Sequence, residues 1–313
     1  MKNPKVFILT LLCLFALAAC TEVEPVAPVG DKFDTFHELY AEAGVKAQSF
    51  TVDADLGGTF TGAQGIIVIV PPKVFRDQTG DTVRGNVTMR LKEFLCEKDM
   101  ILSGLHTMSG ENILVSGGSF YLDAYQGTEE LVLSYPDSIT VQVPQVTRAE
   151  GFEDVMNAFA GNVVQEGFNT LDWQLIWELP LTQEEKDRAK LYSYSVRGFG
   201  FRNYDAFWNI PADVRTDLKT RVNGANTQSS RIMVIVKDYT IVADLRTFDG
   251  EGKKLRQPSF PVGLDIKLIA INLDDGELKF GALDTKSADN ITYEVQVKPG
   301  TVKELEDLLE NPF

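Results

Sequence analysis

Apolar and polar residues alternate in several short runs separated by turn residues. This two-residue period confines most of the chain to β-strands. Val87, Met89 and Leu91 alternate with Thr88, Arg90 and Lys92. Ile291, Tyr293, Val295 and Val297 alternate with Thr292, Glu294 and Gln296. Such runs give each strand one buried and one wet face. Phe120, Leu122 and Ala124 form a further set, as do Ile139, Val141 and Val143, and Leu264, Ile266, Leu268 and Ala270. Ile66 to Val70 is continuously β-branched and stops at Pro71-Pro72, as a buried strand must when it meets residues that cannot extend its ladder. Asp77 to Asp81, Asp274-Asp275-Gly276 and the glycines at 104, 110, 117 and 118 punctuate the runs. The pattern predicts a mainly β protein: an N-terminal antiparallel β-sandwich and a C-terminal β-rich domain with a terminal helix.

Helical spacing is confined to short stretches. Phe33, Phe36, Leu39 and Tyr40 predict a helix over 32–43, ended by Gly44. Phe152, Val155, Met156 and Phe159 suit another, and Thr182-Gln183-Glu184-Glu185 has the form of a capping box before a polar helix. Thr301-Val302-Lys303-Glu304 has the same form, and Val302, Leu305, Leu308 and Leu309 make one apolar face behind it.

At the start of the chain, Lys2 and Lys5 precede an apolar run from Val6 that closes on Leu17-Ala18-Ala19-Cys20. The run is too short to cross a bilayer, which takes about 20 apolar residues, and reads as a secretory signal. Its closing tetrapeptide resembles the lipobox of bacterial lipoproteins. The resemblance implies that residues 1–19 are removed, that Cys20 is lipidated on sulfur and N-acylated, and that the protein is lipid-anchored in the outer membrane, on its periplasmic or cell-surface face. Residues 20–31, with Pro25 and Pro28, then form an extended tether.

The formal charge of the whole chain is −15; the signal holds two lysines and no acid, so the mature chain stands at −17. So acidic a protein is a poor ligand for nucleic acid, which is bound by neutralising phosphates. It is also a poor match for anionic lipid, so the membrane partner is reached through the lipid on Cys20. Of the three cysteines, Cys13 leaves with the signal and Cys20 carries lipid. Cys96 is then left without a partner for a disulfide, and it reads as a buried thiol acting as a small hydrophobe.

A second resemblance covers about a hundred residues. The order of a Gly-rich turn, Ile66–Val70, Pro71-Pro72, Val74-Phe75, Asp77-x-x-Gly80 and Val87–Phe94 is similar to the β-sandwich of ankyrins, netrin receptors and zonula occludens proteins. That module is structural and interactive, without catalysis. The stretch from Tyr194 to Phe207 is similar to a signature of uncharacterised lipoproteins with the same leading domain, with Phe201 where Trp is typical. On this basis the chain divides into a sandwich over 32–146, a mixed connecting region over 147–230 packed with the C-terminal domain, and a β-rich domain over 231–313.

No motif calls for catalysis, a metal or a cofactor. His37 and His106 lack partners at metal-ligand spacing. A set of Asp99, Ser103 or Ser109 and His106 lacks a nucleophile elbow. Gly198-Phe199-Gly200 has Asn203 where a dinucleotide loop has its third glycine. The acidic turns at Asp53-Ala54-Asp55, Asp249-Gly250-Glu251 and Asp274-Asp275-Gly276 lack the spacing of a calcium loop. Asp81-Thr82-Val83 and Asp137-Ser138-Ile139 resemble an O-glycosylation acceptor. The densest unusual feature is aromatic: Phe199, Phe201, Tyr204, Phe207 and Trp208. Exposed, these rings would be the candidate binding surface for a glycan or protein partner in the envelope. Buried, they would seal two sheets together, and this is the preferred reading. The expected role is a non-catalytic structural or interaction module of the cell envelope; the alternative is a glycan-binding surface lipoprotein.

Overall fold

The computed structural model describes residues 30–134, 136–146, 150–152, 155–165, 170–176, 182–186, 189–248, 255–310 and 313. The signal, Cys20 and most of the tether lie outside the described residues. The chain is mainly β, with helices α1 (Phe36–Ala43), α2 (Glu97–Leu102) and α3 (Val302–Glu310).

The alternating run at Val87, Met89 and Leu91 lies in the strand Asn86–Phe94, with those three side chains buried. It pairs antiparallel with Gln48–Asp53 on one side and with the long strand Asn112–Gln126 on the other. Gly200–Phe207, Asn157–Gln165 and Thr170–Leu175 extend the same sheet. The facing sheet runs Thr182–Lys186, Ala189–Val196, Ile139–Pro144, Ile67–Val70 and Gly58–Thr61. Val68, Val141 and Val143 of the second sheet meet Met89, Leu91 and Phe120 of the first in one core.

This topology corrects the expected boundary at residue 146. Strands between 157 and 207 belong to both sheets of the first sandwich, where the sequence reading placed a connecting region packed with the C-terminal domain. The physical reason is edge pairing. Without Gly200–Phe207 and Ala189–Val196, the strands Asn112–Gln126 and Ile139–Pro144 would each present an open edge. Two local expectations fall with it. The helical spacing from Phe152 to Phe159 runs into the strand Asn157–Gln165, where Ala158 and Phe159 are both buried because both faces of that strand are covered. The capping-box form at Thr182 opens the strand Thr182–Lys186, which pairs with Ala189–Val196.

The second sandwich places Thr247–Phe248, Leu255–Pro261, Arg215–Asn223 and Thr292–Gln296 against Val242–Leu245, Ser230–Val236, Asp265–Asn272, Lys279–Lys286 and Lys298–Pro299. Leu218, Phe260 and Val295 face Ile232, Val234 and Leu268 across its core. Every residue of Ser230–Val236 is buried, because the outer face of its sheet is covered too. Met233, Ile235, Ile269 and Ile271 on that outer face meet Phe94, Leu114, Phe159 and Trp173 on the outer face of the first sandwich. All three helices contribute to this middle core, through Leu39, Met100, Ile101, Leu305 and Leu309. Each such side chain contributes about 1.5–3 kcal/mol on burial.

The long strand Asn112–Gln126 serves all three cores. Ile113 and Val115 enter the second sandwich, Leu114 the middle core, and Phe120, Leu122 and Ala124 the first sandwich. The exchange occurs at Gly117-Gly118, where the register with Gly200–Phe207 shifts. Gly118 has φ +118°, and a Cβ on Gly117 would come within 2.9 Å of the Tyr204 carbonyl. Both positions therefore require glycine.

The tether enters the second sandwich. Asp31 donates its N–H to the Gly300 carbonyl at 3.1 Å and accepts from Leu278 at 2.7 Å. Its carboxylate accepts from the Val302 N–H at 2.7 Å, at the first turn of α3. There the predicted capping box forms: Glu304 accepts from the Thr301 N–H at 2.8 Å, and Thr301 Oγ1 accepts from the Glu304 N–H at 3.2 Å.

Candidate functional site

The five aromatic residues singled out by composition do not share a face. Tyr204 is fully buried in the first sandwich, edge-on to Phe120 and Tyr194. Phe199 packs on the same core. Phe201 and Phe207 point the other way, into the middle core, where Phe201 stacks near Phe94 and Phe207 meets Phe159 edge-on. Trp208 lies against the second sandwich, 4.9 Å from Tyr239 and 6.4 Å from Phe260 between ring centroids. The proposed common binding surface is therefore corrected. Strand alternation sends Phe201 and Phe207 to one side and Tyr204 to the other, and the rings seal three cores.

The polar residues between them are buried as well. Asn203 donates to Asp205 Oδ2 at 2.5 Å and accepts from Ser116 Oγ at 3.1 Å. Asp205 is fully buried, and burial pushes its carboxyl well above the usual carboxylate range.

The other sequence candidates take structural roles. His106 is buried; its Nδ1 accepts from the Met108 N–H at 3.2 Å, its ring contacts the Arg246 guanidinium, and its carbonyl accepts from Trp173 Nε1 at 2.5 Å. Ser103 Oγ accepts from the Val45 N–H at 3.0 Å. Cys96 precedes α2 and is half-buried, short of the fully buried position expected; partial burial still pushes its thiol up to about 11. Asp53 accepts from the N–H groups of Asp55 and Leu56, and Asp55 pairs with Arg84 at 2.9 Å. Asp274 accepts from the Asn226 N–H at 2.7 Å. Among the described residues no group of three or more His, Cys, Asp or Glu is placed to hold a metal ion. Thr82 is exposed and Ser138 half-buried, each just before a buried residue.

One of the five rings does line an opening. Trp208, Asn209 and Ile210 border a polar niche of about 180 Å³ with Asn112, Arg215 and Ser259. A second hollow of about 310 Å³ adjoins it through Arg215 and Ser259 and continues past Asp217, Lys219, Asp289 and Asn290. A β-bulge creates the shape. Thr216 pairs with Phe260 and Leu218 with Gln257, so Pro258 and Ser259 together face Asp217. Ser259 takes φ +57° and Asn290 φ +58°, a left-handed conformation that costs free energy outside glycine. Arg215 is held in place: its Nε donates to the Ile210 carbonyl at 2.8 Å, and its Nη2 donates to the same oxygen. Thr216 Oγ1 donates to Asp289 at 2.8 Å.

A different cleft of about 560 Å³ lies beside Lys237, Lys267, Lys286 and Phe313. There Lys267 pairs with Asp284 at 3.2 Å and Lys286 with Asp265 at 2.8 Å.

Both openings lie at one end of the second sandwich, and the tether enters at the other. In the sheet, Asn272 pairs with Lys279 near the tether, and Asp265 pairs with Lys286 near the openings. The eight residues of Asp265–Asn272 separate those ends by about 25 Å. Sequence reasoning found Trp208 and missed Arg215, Ser259, Asp289 and Asn290, which three distant segments bring together. The one local signal was Pro258 inside a strand pattern, a mark of a bulge or an edge.

The chain matches no family model and no curated protein.

Proposed function

We propose that the protein is a lipid-anchored interaction module of the bacterial cell envelope, held at the outer membrane through Cys20 and acting without catalysis. The observation that carries this reading is the opposition of tether and groove across the second sandwich. Residues 20–30 reach at most about 35 Å from the lipid. The body is then docked through Asp31 to Leu278, Gly300 and the start of α3. The Trp208 groove opens at the far end, away from the bilayer. The resemblance of the first domain to a non-catalytic interaction sandwich supports the same role, and a middle core packs the two sandwiches together.

Two measurements test it. A single acyl chain holds a protein only marginally, whereas several hold it firmly. Cys20→Ser should therefore move the protein from the detergent-requiring fraction to the soluble one, or leave uncleaved precursor. Mature, detergent-requiring Cys20→Ser protein would sink the anchor. For the interaction, a photo-crosslinking residue at the exposed position Asn209 should give a discrete adduct in intact cells. The same residue at exposed Leu56, on the first sandwich, should not. Identical patterns from both positions would count against the groove as the contact site.

A further inference from the structure

We infer that the groove between Trp208 and Asn290 binds a neutral oligosaccharide. The inference rests on the interaction-module reading and names the ligand class for its site. The walls carry its chemistry. Trp208 supplies the aromatic surface of the inner niche, with Tyr239 already packed against its ring. A sugar ring offers a C–H face to such a surface and hydroxyls at its rim. Around Trp208 the groove is fringed by planar polar groups: the amides of Asn112, Asn209 and Asn290, the guanidinium of Arg215 and the carboxylate of Asp289. Internal bonds hold most of these groups in place: Asn112 donates to the Ser109 carbonyl at 3.2 Å, Asn290 to Asp289 at 2.7 Å, and Asp289 accepts from Thr216. The exposed Asn209 amide and Arg215 Nη1 are the donors the groove presents to the hydroxyls of a sugar.

Other ligand classes fit less well. A lipid or drug-like molecule needs predominantly apolar walls, and here apolar surface is limited to Trp208, Ile113, Ile210 and Pro258. A polyanion would meet Glu111, Asp217 and Asp289 against only Arg215 and Lys219. An extended peptide adding to a sheet needs an open strand edge. Along the groove the open edge is confined to Arg215–Leu218, because Thr292–Gln296 joins the strand from Lys219 onward, and within that stretch Thr216 is already bonded to Asp289.

The groove is also built in advance. Arg215 is clamped by its two bonds to the Ile210 carbonyl, which leaves Nη1 outside that clamp. The Pro258-Ser259 bulge opens the sheet, with the left-handed Ser259 on one side and the turn residue Asn290 on the other. Strain such as that at Ser259 is kept where surrounding structure holds it, and ligand clamps are among those places. Pre-organisation lowers the ordering cost that weakens binding to mobile side chains.

The test uses the detergent-purified full chain. Calorimetric titration with hexasaccharides of glucose, mannose, galactose and N-acetylglucosamine, together with an array of defined neutral glycans, is the direct measurement. At least one neutral oligosaccharide should bind. Arg215→Ala and Asn209→Ala should each weaken it about tenfold or more, which corresponds to about 1.4 kcal/mol. Asn209 is exposed, so Asn209→Ala should keep the parent's melting temperature, whereas Arg215→Ala also gives up two bonds to the Ile210 carbonyl and should lower it. Trp208→Phe keeps an aromatic surface and should bind more weakly than the parent but better than Trp208→Ala. The absence of binding to any neutral glycan overturns the inference, and so does binding that both Arg215→Ala and Asn209→Ala leave intact. If the Asn209 crosslink is instead to a protein, and Arg215→Ala abolishes it while no glycan binds, the oligosaccharide inference falls and the interaction-module reading stands.

Discussion

Arg231 donates from Nη1 to the hydroxyl of Tyr40 at 2.7 Å, joining helix α1 to a strand 191 positions away. The same nitrogen donates to the Gly104 carbonyl at 2.9 Å, and Nη2 lies 3.2 Å from the Asp244 carboxylate. Arg231 and Asp244 are both buried. A single guanidinium thus ties α1, the turn after α2 and two strands of the second sandwich. Buried charge is costly unless it finds partners, and here they come from three segments besides the arginine's own strand.

Removing one charge from that pair should expose the cost of the other. Arg231→Leu should destabilise the protein by about 3–5 kcal/mol, because Asp244 is left buried without its main partner. Adding Asp244→Leu should recover part of the loss. Urea midpoints of the two variants and the parent check this. A double variant less stable than Arg231→Leu by the full cost of a second independent substitution would show that the two charges do not depend on each other.

Tyr204 separates ring from hydroxyl. Its ring is fully buried among Phe120, Tyr192 and Tyr194, while its hydroxyl reaches the Val141 carbonyl only at 3.5 Å. Tyr204→Ala should cost about 3–5 kcal/mol through lost contact and the cavity left behind. Tyr204→Phe should cost about 1 kcal/mol or less. Near-equal losses in chemical unfolding would mean that the hydroxyl, and not the packing, holds the site.

Asp205 predicts a pH dependence of known sign. Its folded value is raised by burial above the unfolded value of about 3.9. Its contribution is therefore whole below about pH 4 and is lost as pH rises through the folded value. Asp205→Asn removes the titration while keeping an oxygen for the Asn203 amide. The variant should gain on the parent in urea midpoint as pH rises above about 4. A gap that does not change with pH would show that this carboxyl is not the linked group.

Helix α3 should act as a docked element. Leu305 is fully buried in the middle core, whereas Glu306 is half-buried near Lys303. Leu305→Ala should cost about 2–5 kcal/mol. Glu306→Ala should stay within about 0.5 kcal/mol. Melting curves of both variants are the measurement, and equal small shifts would mean that the helix contributes little to the core.

Local periodicity was enough for the class of the fold, because alternation records which side chains face away from water. Val87, Met89 and Leu91 were legible as one buried face, Pro71-Pro72 as a strand stop, and Thr301 with Glu304 as the start of the last helix, each from residues within a few positions of one another. Tertiary structure decided everything that depends on partners. Period alone does not say which edge a strand joins, so Ala189–Val196 and Gly200–Phe207 entered the first sandwich despite following its expected end. Nor does it say what lies beyond a face. Phe201 and Tyr204 therefore parted into different cores, and only Trp208 reached an opening. That opening needed Arg215, Ser259 and Asn290 to converge from separate strand ends, a long-range pairing that no neighbouring residue in the chain records.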